Sequence, residues 1–173
     1  MRIEPLRPGS AERLRAHLAR HRRESGNGQA HFMPFDPADP NGPKGLNEAA
    51  IELPYHELGW QRWYVLISDD DEVVGHVSLK SDALRAGLHR CELGIGIEDA
   101  HRGQGHGERL MARAIEHASA VESLAWIDLH VMQANTGAIA LYEKLGFRTN
   151  GRTEDRFRIQ GEELGDLLMS RRI

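Results

Sequence analysis

The segment that decides the fold of this chain runs from Glu92 to Met111 and reads ELGIGIEDAHRGQGHGERLM. It begins as an apolar strand, continues into a turn with three alternating glycines (Gly103, Gly105 and Gly107), and opens into an amphipathic helix. A helix N-terminus presents unpaired N–H groups and about half a positive charge, so it binds anions. Glycine allows left-handed turn conformations and close approach of a phosphate. The segment therefore predicts a site for a phosphorylated ligand.

Two well-known phosphate-binding motifs fit this turn poorly. A Walker-type loop ends in Gly-Lys-Ser/Thr, and no lysine follows Gly107. A dinucleotide fingerprint has the spacing Gly-x-Gly-x-x-Gly early in a βαβ unit, whereas these glycines run Gly-x-Gly-x-Gly well past the middle of the chain. A third motif, Arg/Gln-x-x-Gly-x-Gly/Ala, is matched by Arg102, Gly105 and Gly107.

Two segments downstream of the turn extend the pattern. A strand over 124–131 is followed by Asn135 and by a short helix that ends in YEKLGF, residues 142–147. This order of turn, strand, asparagine and Tyr-x-x-x-Gly-Phe resembles the GCN5-related N-acetyltransferase (GNAT) family over residues 60–170. The resemblance implies an enzyme that transfers the acetyl group of acetyl-CoA directly to a primary amine.

Other stretches indicate a branch of the family and its fold. The strand CELGIGI, residues 91–97, is closest to the branch that contains ribosomal-protein and polyamine acetyltransferases. The tail looks like the family's closing hairpin, with Gly161 at the turn and 166–169 in the last strand. The implied fold is α/β, with a mixed, mostly antiparallel sheet of six to seven strands, splayed central strands and about four flanking helices.

The length of 173 residues fits one N-acetyltransferase domain. Residues 1–60 match the family only in element order and are expected to form the acceptor side. Residues 61–173 are expected to form the acetyl-CoA-binding core and the C-terminal hairpin.

Hydrophobic periodicity predicts the elements of the first half. They are a strand over 2–6, a helix over 10–23, a helix over 46–58 that Pro54 ends or kinks, and a hairpin of strands 63–68 and 73–79. Residues 25–45 are rich in Gly, Pro, Asp and Asn, which predicts a long loop. Loops of this length are usually functional or disordered. The apolar HFMPF at 31–35 favours a partly ordered wall near the acceptor over disorder.

The resemblance implies which residues hold acetyl-CoA. The turn would act mainly through its backbone N–H groups on the pyrophosphate, and the strand before it through main-chain bonds to the pantetheine arm. The expected contacts are Ile95, Ile97, Arg102, Gly103, Gln104, Gly105, His106, Gly107, Glu108 and Asn135.

Acetyl transfer also needs a base, because an ammonium has no lone pair and an alkyl amine has a pKa of about 10.4. Strand alternation places Glu92, Gly94 and Gly96 on one face, so a carboxylate lies beside space for a substrate. Glu92 is expected to be either this base or a structural hydrogen-bonding group. His89 is a weaker rival for the base.

The resemblance assigns Tyr142 to the thiol sulfur as general acid, although a buried tyrosine also serves as a core residue. Asn135 is expected to cap the last helix as well as to reach the pantetheine arm. Cys91 lies inside an apolar strand and is expected to be a core residue rather than a nucleophile.

Charge and composition narrow the remaining possibilities. Net charge is −4, which argues weakly against general nucleic-acid binding. Seven arginines against two glutamates in residues 2–23 form either a solvated helix face or a rim for an anion. His17 and His21 lie among these arginines, so no metal is expected. A single cysteine and no apolar run of membrane-spanning length predict a cytoplasmic protein without a membrane partner.

The acceptor stays open between a small-molecule amine, a free amino acid, an antibiotic and a peptide or protein N-terminus. A homodimer is compatible with the edge strands and the closing hairpin. The alternative function is a non-catalytic acyl-CoA-binding regulatory module that keeps the turn and lacks acceptor chemistry.

Overall fold

A computed structural model describes residues 1–28, 30–35 and 46–173. Within these ranges the chain forms seven strands and three α-helices in the order β1 α1 β2 β3 β4 α2 β5 α3 β6 β7. The helices are α1 (Ala11–Glu24), α2 (His106–Ser119) and α3 (Thr136–Lys144). The strands are β1 (Arg2–Pro5), β2 (Gln61–Ile67), β3 (Val73–Ser81), β4 (Arg90–Ile97), β5 (Trp126–Met132), β6 (Arg148–Ile159) and β7 (Glu162–Arg172).

All seven strands belong to one mixed sheet with the order β1-β2-β3-β4-β5-β7-β6. Every neighbouring pair is antiparallel except β4 and β5, which run parallel. The parallel pair is short, from Arg90 opposite Trp126 to Glu92 opposite Asp128. Beyond these positions the two strands diverge. The predicted splayed, mostly antiparallel sheet is thus confirmed.

The two faces of the sheet are covered by different helices, because alternate residues of each strand point to opposite faces. One face packs Cys91 and Leu93 of β4 against Leu110 and Met111 of α2, all of them buried. On the other face a second cluster surrounds the buried Leu14 of α1. On this second face the cluster covers β2 and β3, whereas Gly94 of β4 and His130 of β5 are exposed.

The helix predicted over 46–58 is wrong. Within this segment the structure has a single 3₁₀ turn, Glu48–Ile51, followed by irregular turns. The guanidinium of Arg62 donates to the carbonyl oxygens of Ile51 at 2.6 Å and Leu53 at 2.7 Å. These carbonyls are satisfied from β2 instead of by helical hydrogen bonds, and Pro54 ends the segment.

Both predicted hairpins are present, β2–β3 around Asp69–Glu72 and β6–β7 around Gly161. Gly161 has φ +86°, a left-handed conformation that glycine adopts without strain. In the part of the chain that the structure describes, no helix is both long and apolar enough to cross a membrane.

Candidate active site

A cavity of about 640 Å³ opens where β4 and β5 diverge. Its walls come from Leu93–Ile97 of β4, from His130 and Val131 of β5, and from α3. The floor is the glycine turn that leads into α2. The volume lies in the range typical of small-molecule and cofactor sites. The segment that predicted the fold therefore forms a large part of the cavity.

The glycine turn places backbone, without side chains, at one end of the cavity. Gly103 and Gly105 have φ of +71° and +78°, and a Cβ on either residue would point into open space. Gly105 is the N-cap of α2, whose first N–H groups have no partner within the helix. Gly107 has another role, because its Cβ would lie 3.1 Å from the Leu141 side chain of α3. Two glycines thus leave this part of the turn free of side chains, and the third allows α2 and α3 to pack closely.

The side chain of Arg102 ties the turn to its surroundings. Its Nε donates to the Ile97 carbonyl oxygen at 2.8 Å, and Nη2 donates to Glu24 Oε2 at 2.9 Å. The guanidinium also lies 4.8 Å from the ring centroid of Phe32. Glu24 in turn accepts from the N–H of Asp99 at 3.0 Å. These contacts fix the turn against the end of α1.

Most of the residues predicted to contact acetyl-CoA line this cavity. They are Ile95, Ile97, Arg102, Gly103, Gly105, His106, Gly107, Glu108 and Asn135. Gln104 is exposed outside the lining, and its side chain donates to the Ala100 carbonyl oxygen at 3.3 Å. Asn135 Oδ1 accepts from the N–H of Ala138 at 3.3 Å, so it caps α3 as expected.

Tyr142 lies on the cavity wall and is 7% exposed. Burial raises the pKa of its hydroxyl to about 12, so the group is protonated at neutral pH, as a proton donor must be. The ring packs near Phe147, with centroids 6.1 Å apart. The position fits both the general acid and the core residue that the sequence left open.

Cys91 lies on the core side of β4. It is 1% exposed, and its Sγ donates to the Trp126 carbonyl oxygen at 3.6 Å. Burial raises the pKa of this thiol to about 12. A thiol with such a pKa is not a thiolate at neutral pH, which disfavours a nucleophilic role.

Glu92 is placed differently from Tyr142. Its carboxylate pairs with Lys80 Nζ of β3 at 2.9 Å, and the residue does not belong to the cavity lining. His89 precedes β4 at the end of the strand away from the cavity. Between the two roles predicted for Glu92, this geometry favours the structural one.

A histidine–carboxylate pair on the cavity wall was missed by the sequence analysis. His130 Nδ1 of β5 lies 2.6 Å from Asp166 Oδ2 of β7. The pairing of β5 with β7 brings these residues together across 36 positions of the chain. Alternation along β5 could have placed His130 on the face of Glu92 and Gly94, but the carboxylate partner requires the register of the sheet.

Three buried histidines, His17 and His21 of α1 and His76 of β3, form a cluster beside β4. His17 Nε2 and His76 Nδ1 are 2.8 Å apart, and His17 Nδ1 lies 2.7 Å from Glu98 Oε1. The His21 ring stacks on that of His17 with a centroid distance of 5.6 Å. A Cβ on Gly96 would come within 2.7 Å of both His21 and His76, so glycine lets this cluster pack against the strand.

The predicted apolar wall, residues 31–35, lies within the described residues, and part of it lines the cavity. Ala30, His31 and Phe32 line the cavity, and the Phe32 ring stacks on His21 with a centroid distance of 4.9 Å. Ser25 Oγ accepts from the N–H of Phe32 at 3.1 Å, which holds the segment to the end of α1. The rest of the predicted loop, residue 29 and residues 36–45, lies outside the described residues.

The basic N-terminal segment is largely paired with acidic residues. Arg15 bonds Glu48 at 2.7 Å, Arg20 bonds Glu98 at 3.0 Å, and Arg2 bonds Asp71 at 2.5 Å. These pairs favour the solvated-face interpretation over an anion rim. In the described ranges no group of three or more His, Cys, Asp or Glu side chains is arranged to hold a metal ion.

Fold and cavity together define an α/β protein with a splayed sheet and a glycine-rich anion turn at a helix N-terminus. The model of the acetyltransferase (GNAT) family matches residues 32–147, more than half of the chain. The chain belongs to this family. The resemblance that the turn, Asn135 and the 142–147 segment indicated is confirmed.

Two curated relatives whose names include an acceptor match part of the chain. The chain is 36% identical over 75 residues to spermidine N(1)-acetyltransferase of Vibrio cholerae serotype O1, which is 43% of each chain. It is 25% identical over 108 residues to the ribosomal protein uS5 alanine N-acetyltransferase of Escherichia coli K12, covering 62% of this chain and 56% of that protein. The matched segments thus span about half the length of these relatives.

A solved structure covers the whole chain. The acetyltransferase of GNAT family from Streptococcus pneumoniae is 24% identical with a TM-score of 0.81, over 99% of both chains. At this identity the likeness is one of fold.

Proposed function

We propose that the protein is an acetyl-CoA-dependent N-acetyltransferase that transfers acetyl directly to a primary amine. The observation that carries this proposal is the cavity itself, in which the glycine turn at the start of α2 and the diverging strands β4 and β5 meet Tyr142. In this assignment the N–H groups of 103–107 hold the pyrophosphate, and the main chain of Ile95 and the side chain of Asn135 face the pantetheine arm. The Ile97 carbonyl already accepts from Arg102, which leaves its N–H group for the arm.

Tyr142 is proposed to donate a proton to the sulfur that leaves. An ordinary thiol has a pKa well below that of a tyrosine at about 12, which makes the transfer uphill in water. A thiolate released beside Tyr142 is desolvated as well, and in this chain burial is the largest of the effects that raise the pKa of Cys91 to about 12. Desolvation therefore brings the two pKa values together, and the hydroxyl can stabilise the leaving sulfur.

The acceptor is proposed to be an alkyl amine, either a small molecule or a peptide N-terminus. The relatives named above act on spermidine and on the alanine of a ribosomal protein. Phe32 and the paired His130 both line the cavity, and the amine is proposed to approach the acetyl group from the side of His130.

The proposed acetyl-CoA site is tested with two matched glycine variants. Gly105 and Gly59 have φ of +78° and +86°, and a Cβ on either one meets nothing within 4 Å. Alanine at each position costs about 1–2 kcal/mol of backbone strain, but only Gly105 lines the cavity. We expect Gly105→Ala to weaken acetyl-CoA binding at least tenfold by calorimetry and Gly59→Ala to leave it unchanged. Equal affinities would place the anion site elsewhere.

The proposed transfer to an amine is tested by measuring thiol released from acetyl-CoA in the presence of each candidate acceptor. The acceptors are spermidine, free amino acids, aminoglycosides and a peptide with N-terminal alanine. We expect turnover with at least one of these amines. Tight binding of acetyl-CoA without thiol release from any of them would instead support the non-catalytic acyl-CoA-binding module.

A further inference from the structure

We infer that His130 is the general base of the acetyl transfer and that Asp166 positions it. The inference rests on the proposed function, since it names the group that deprotonates the acceptor amine. It is carried by the geometry of the His130–Asp166 pair and by its place on the cavity wall.

The pair fixes the tautomer of the imidazole. Asp166 Oδ2 lies 2.6 Å from His130 Nδ1, and the Asp166 side chain is 7% exposed. An ionised carboxylate only accepts hydrogen bonds, so Nδ1 carries the proton and Nε2 keeps its lone pair. His130 is 53% exposed, so the ring has access to an incoming amine and to solvent. A buried carboxylate that orients an accessible imidazole is the arrangement by which a histidine acts as a base.

The position of the pair suits the reaction. His130 lies two residues beyond Asp128, the last residue of β5 that pairs with β4, where the gap between β4 and β5 is open. Its neighbours Leu129 and Val131 face the core that contains Tyr142. Alternation therefore puts His130 on the opposite face of the sheet. The proton acceptor and the proposed proton donor thus lie on opposite sides of the gap.

Three other candidate bases, two on the paired ends of β4 and β5 and one on α1, are engaged or poorly basic. Glu92 is paired with Lys80 outside the lining. Asp128, the charged residue beside His130 on β5, is held by Arg90 at 2.5 Å. His21 lines the cavity, but burial lowers its pKa to about 4. A base with this pKa removes a proton from an alkyl ammonium less readily than an ordinary histidine does.

His130 and Tyr142 together account for every proton that moves in the reaction. His130 Nε2 takes one proton from the alkyl ammonium, and the freed lone pair forms the C–N bond to the thioester carbonyl carbon. The C–S bond then breaks, the sulfur takes the electron pair, and the Tyr142 hydroxyl supplies its proton. The second amine proton returns to the Tyr142 oxygen, and His130 releases its own to solvent. The sum is ammonium plus acetyl thioester giving amide, thiol and one proton.

The kinetic test compares the wild type, His130→Gln and Asp166→Asn as full chains, with His56→Gln as control because His56 is 79% exposed and lies outside the cavity. The acceptor is whichever amine of the screen described above turns over fastest. We expect His130→Gln to lower kcat/KM at least 100-fold and to remove the acidic limb of its pH profile. Asp166→Asn should lower kcat/KM at least tenfold and shift that limb, with His56→Gln unchanged. Acetyl-CoA affinity by calorimetry should stay the same in all four proteins.

A second measurement does not depend on turnover. Nitrogen-15 NMR of the imidazoles should show the His130 proton on Nδ1 in the wild type and a changed tautomer balance in Asp166→Asn. The inference is overturned by a His130→Gln enzyme within threefold of wild type with an unchanged acidic limb, or by a proton on Nε2. A wild type that binds acetyl-CoA and acetylates none of the amines would overturn the proposed function itself, and this inference with it.

Discussion

Each residue of the candidate site is fixed by contacts of a different range along the chain. Gly105 and Asn135 act within their own turn or helix, through a left-handed backbone and a cap. His130 depends on Asp166, 36 positions away, and Glu92 on Lys80 of the neighbouring strand. Some residues of the site are therefore positioned by the sequence around them, and others by the pairing and register of the strands.

Tyr142 gives the prediction at this scale. Tyr142→Phe keeps the ring and its packing against Phe147 but removes the hydroxyl, so a purely structural role predicts little change in turnover. If the hydroxyl donates to the leaving sulfur, kcat should fall about 100-fold. The KM for acetyl-CoA and the melting temperature should stay close to wild type.

Steady-state kinetics at saturating amine and a thermal melt check this prediction. Phe147→Leu is a matched control, because it alters the same packing without touching the hydroxyl. A Tyr142→Phe enzyme with wild-type kcat, under conditions where acetylation limits the rate, would return Tyr142 to the core-residue role.

The contrast between Tyr142 and His130 also explains what a sequence can predict here. The Tyr-x-x-x-Gly-Phe segment and the glycine turn are each short continuous motifs that can be matched to the family, and that resemblance predicts Tyr142, Gly103 and Gly105 at one site. The His130–Asp166 pair and the Lys80 partner of Glu92 depend on which strands are neighbours. The spacing of residues within one segment does not show which strands are neighbours in the sheet.

At the scale of elements, the segment 46–54 shows how one side chain replaces a predicted helix. Apolar residues at Leu46, Ala50 and Leu53 have helical spacing, which is why the pattern predicted a helix. The Arg62 guanidinium instead binds two carbonyls of the segment and lies 4.5 Å from the Tyr55 ring centroid. The competing donor comes from β2, beyond the window in which helical periodicity is read.

Replacing Arg62 tests this account. Arg62→Met would leave the Ile51 and Leu53 carbonyls without their donors, at about 1–3 kcal/mol for each buried group. We expect the free energy of unfolding to fall by about 2–4 kcal/mol in urea denaturation. Arg62→Lys keeps the charge but has no planar fork for two carbonyls, so it should lose roughly half as much. A loss below about 0.5 kcal/mol for Arg62→Met would show that the segment is held by its apolar contacts instead.

At the scale of the whole molecule, the cavity and the histidine cluster share β4. The cavity opens along 93–97, and on the same strand Gly96 allows His21 and His76 to pack against the backbone. His21 belongs to both, since it lines the cavity and stacks on Phe32. Protonation of the cluster should therefore affect the strand that holds the proposed ligand.

The cluster predicts how stability depends on pH. Burial lowers the pKa of His17, lowers that of His21 to about 4, and lowers that of His76 well below its ordinary value. Glu98 and Glu24 favour the charged form of these rings, whereas Arg20 and Arg102 oppose it. Desolvation is the largest effect on all three rings, so the neutral cluster is the stable one at neutral pH.

The direction of the pH dependence follows from the difference in proton binding between the folded and the unfolded chain. Between pH 6.5 and about 4 the unfolded chain binds protons that the folded cluster excludes, so the free energy of unfolding falls as pH drops through this window. With a pKa of about 4, His21 stays neutral between pH 6.5 and 5, which lowers the free energy of unfolding by about 2 kcal/mol over that interval, at about 1.4 kcal/mol per pH unit. The lowered pKa values of His17 and His76 act in the same direction. Urea denaturation at pH 7.5, 6.5, 5.5 and 5.0 should therefore show a steep loss of stability below pH 6.5. His76→Gln should make the slope of the free energy of unfolding against pH shallower, by the uptake of about one proton fewer on unfolding. His56→Gln should leave the slope unchanged. A flat profile in the wild type would mean that the buried histidines accept protons without unfolding.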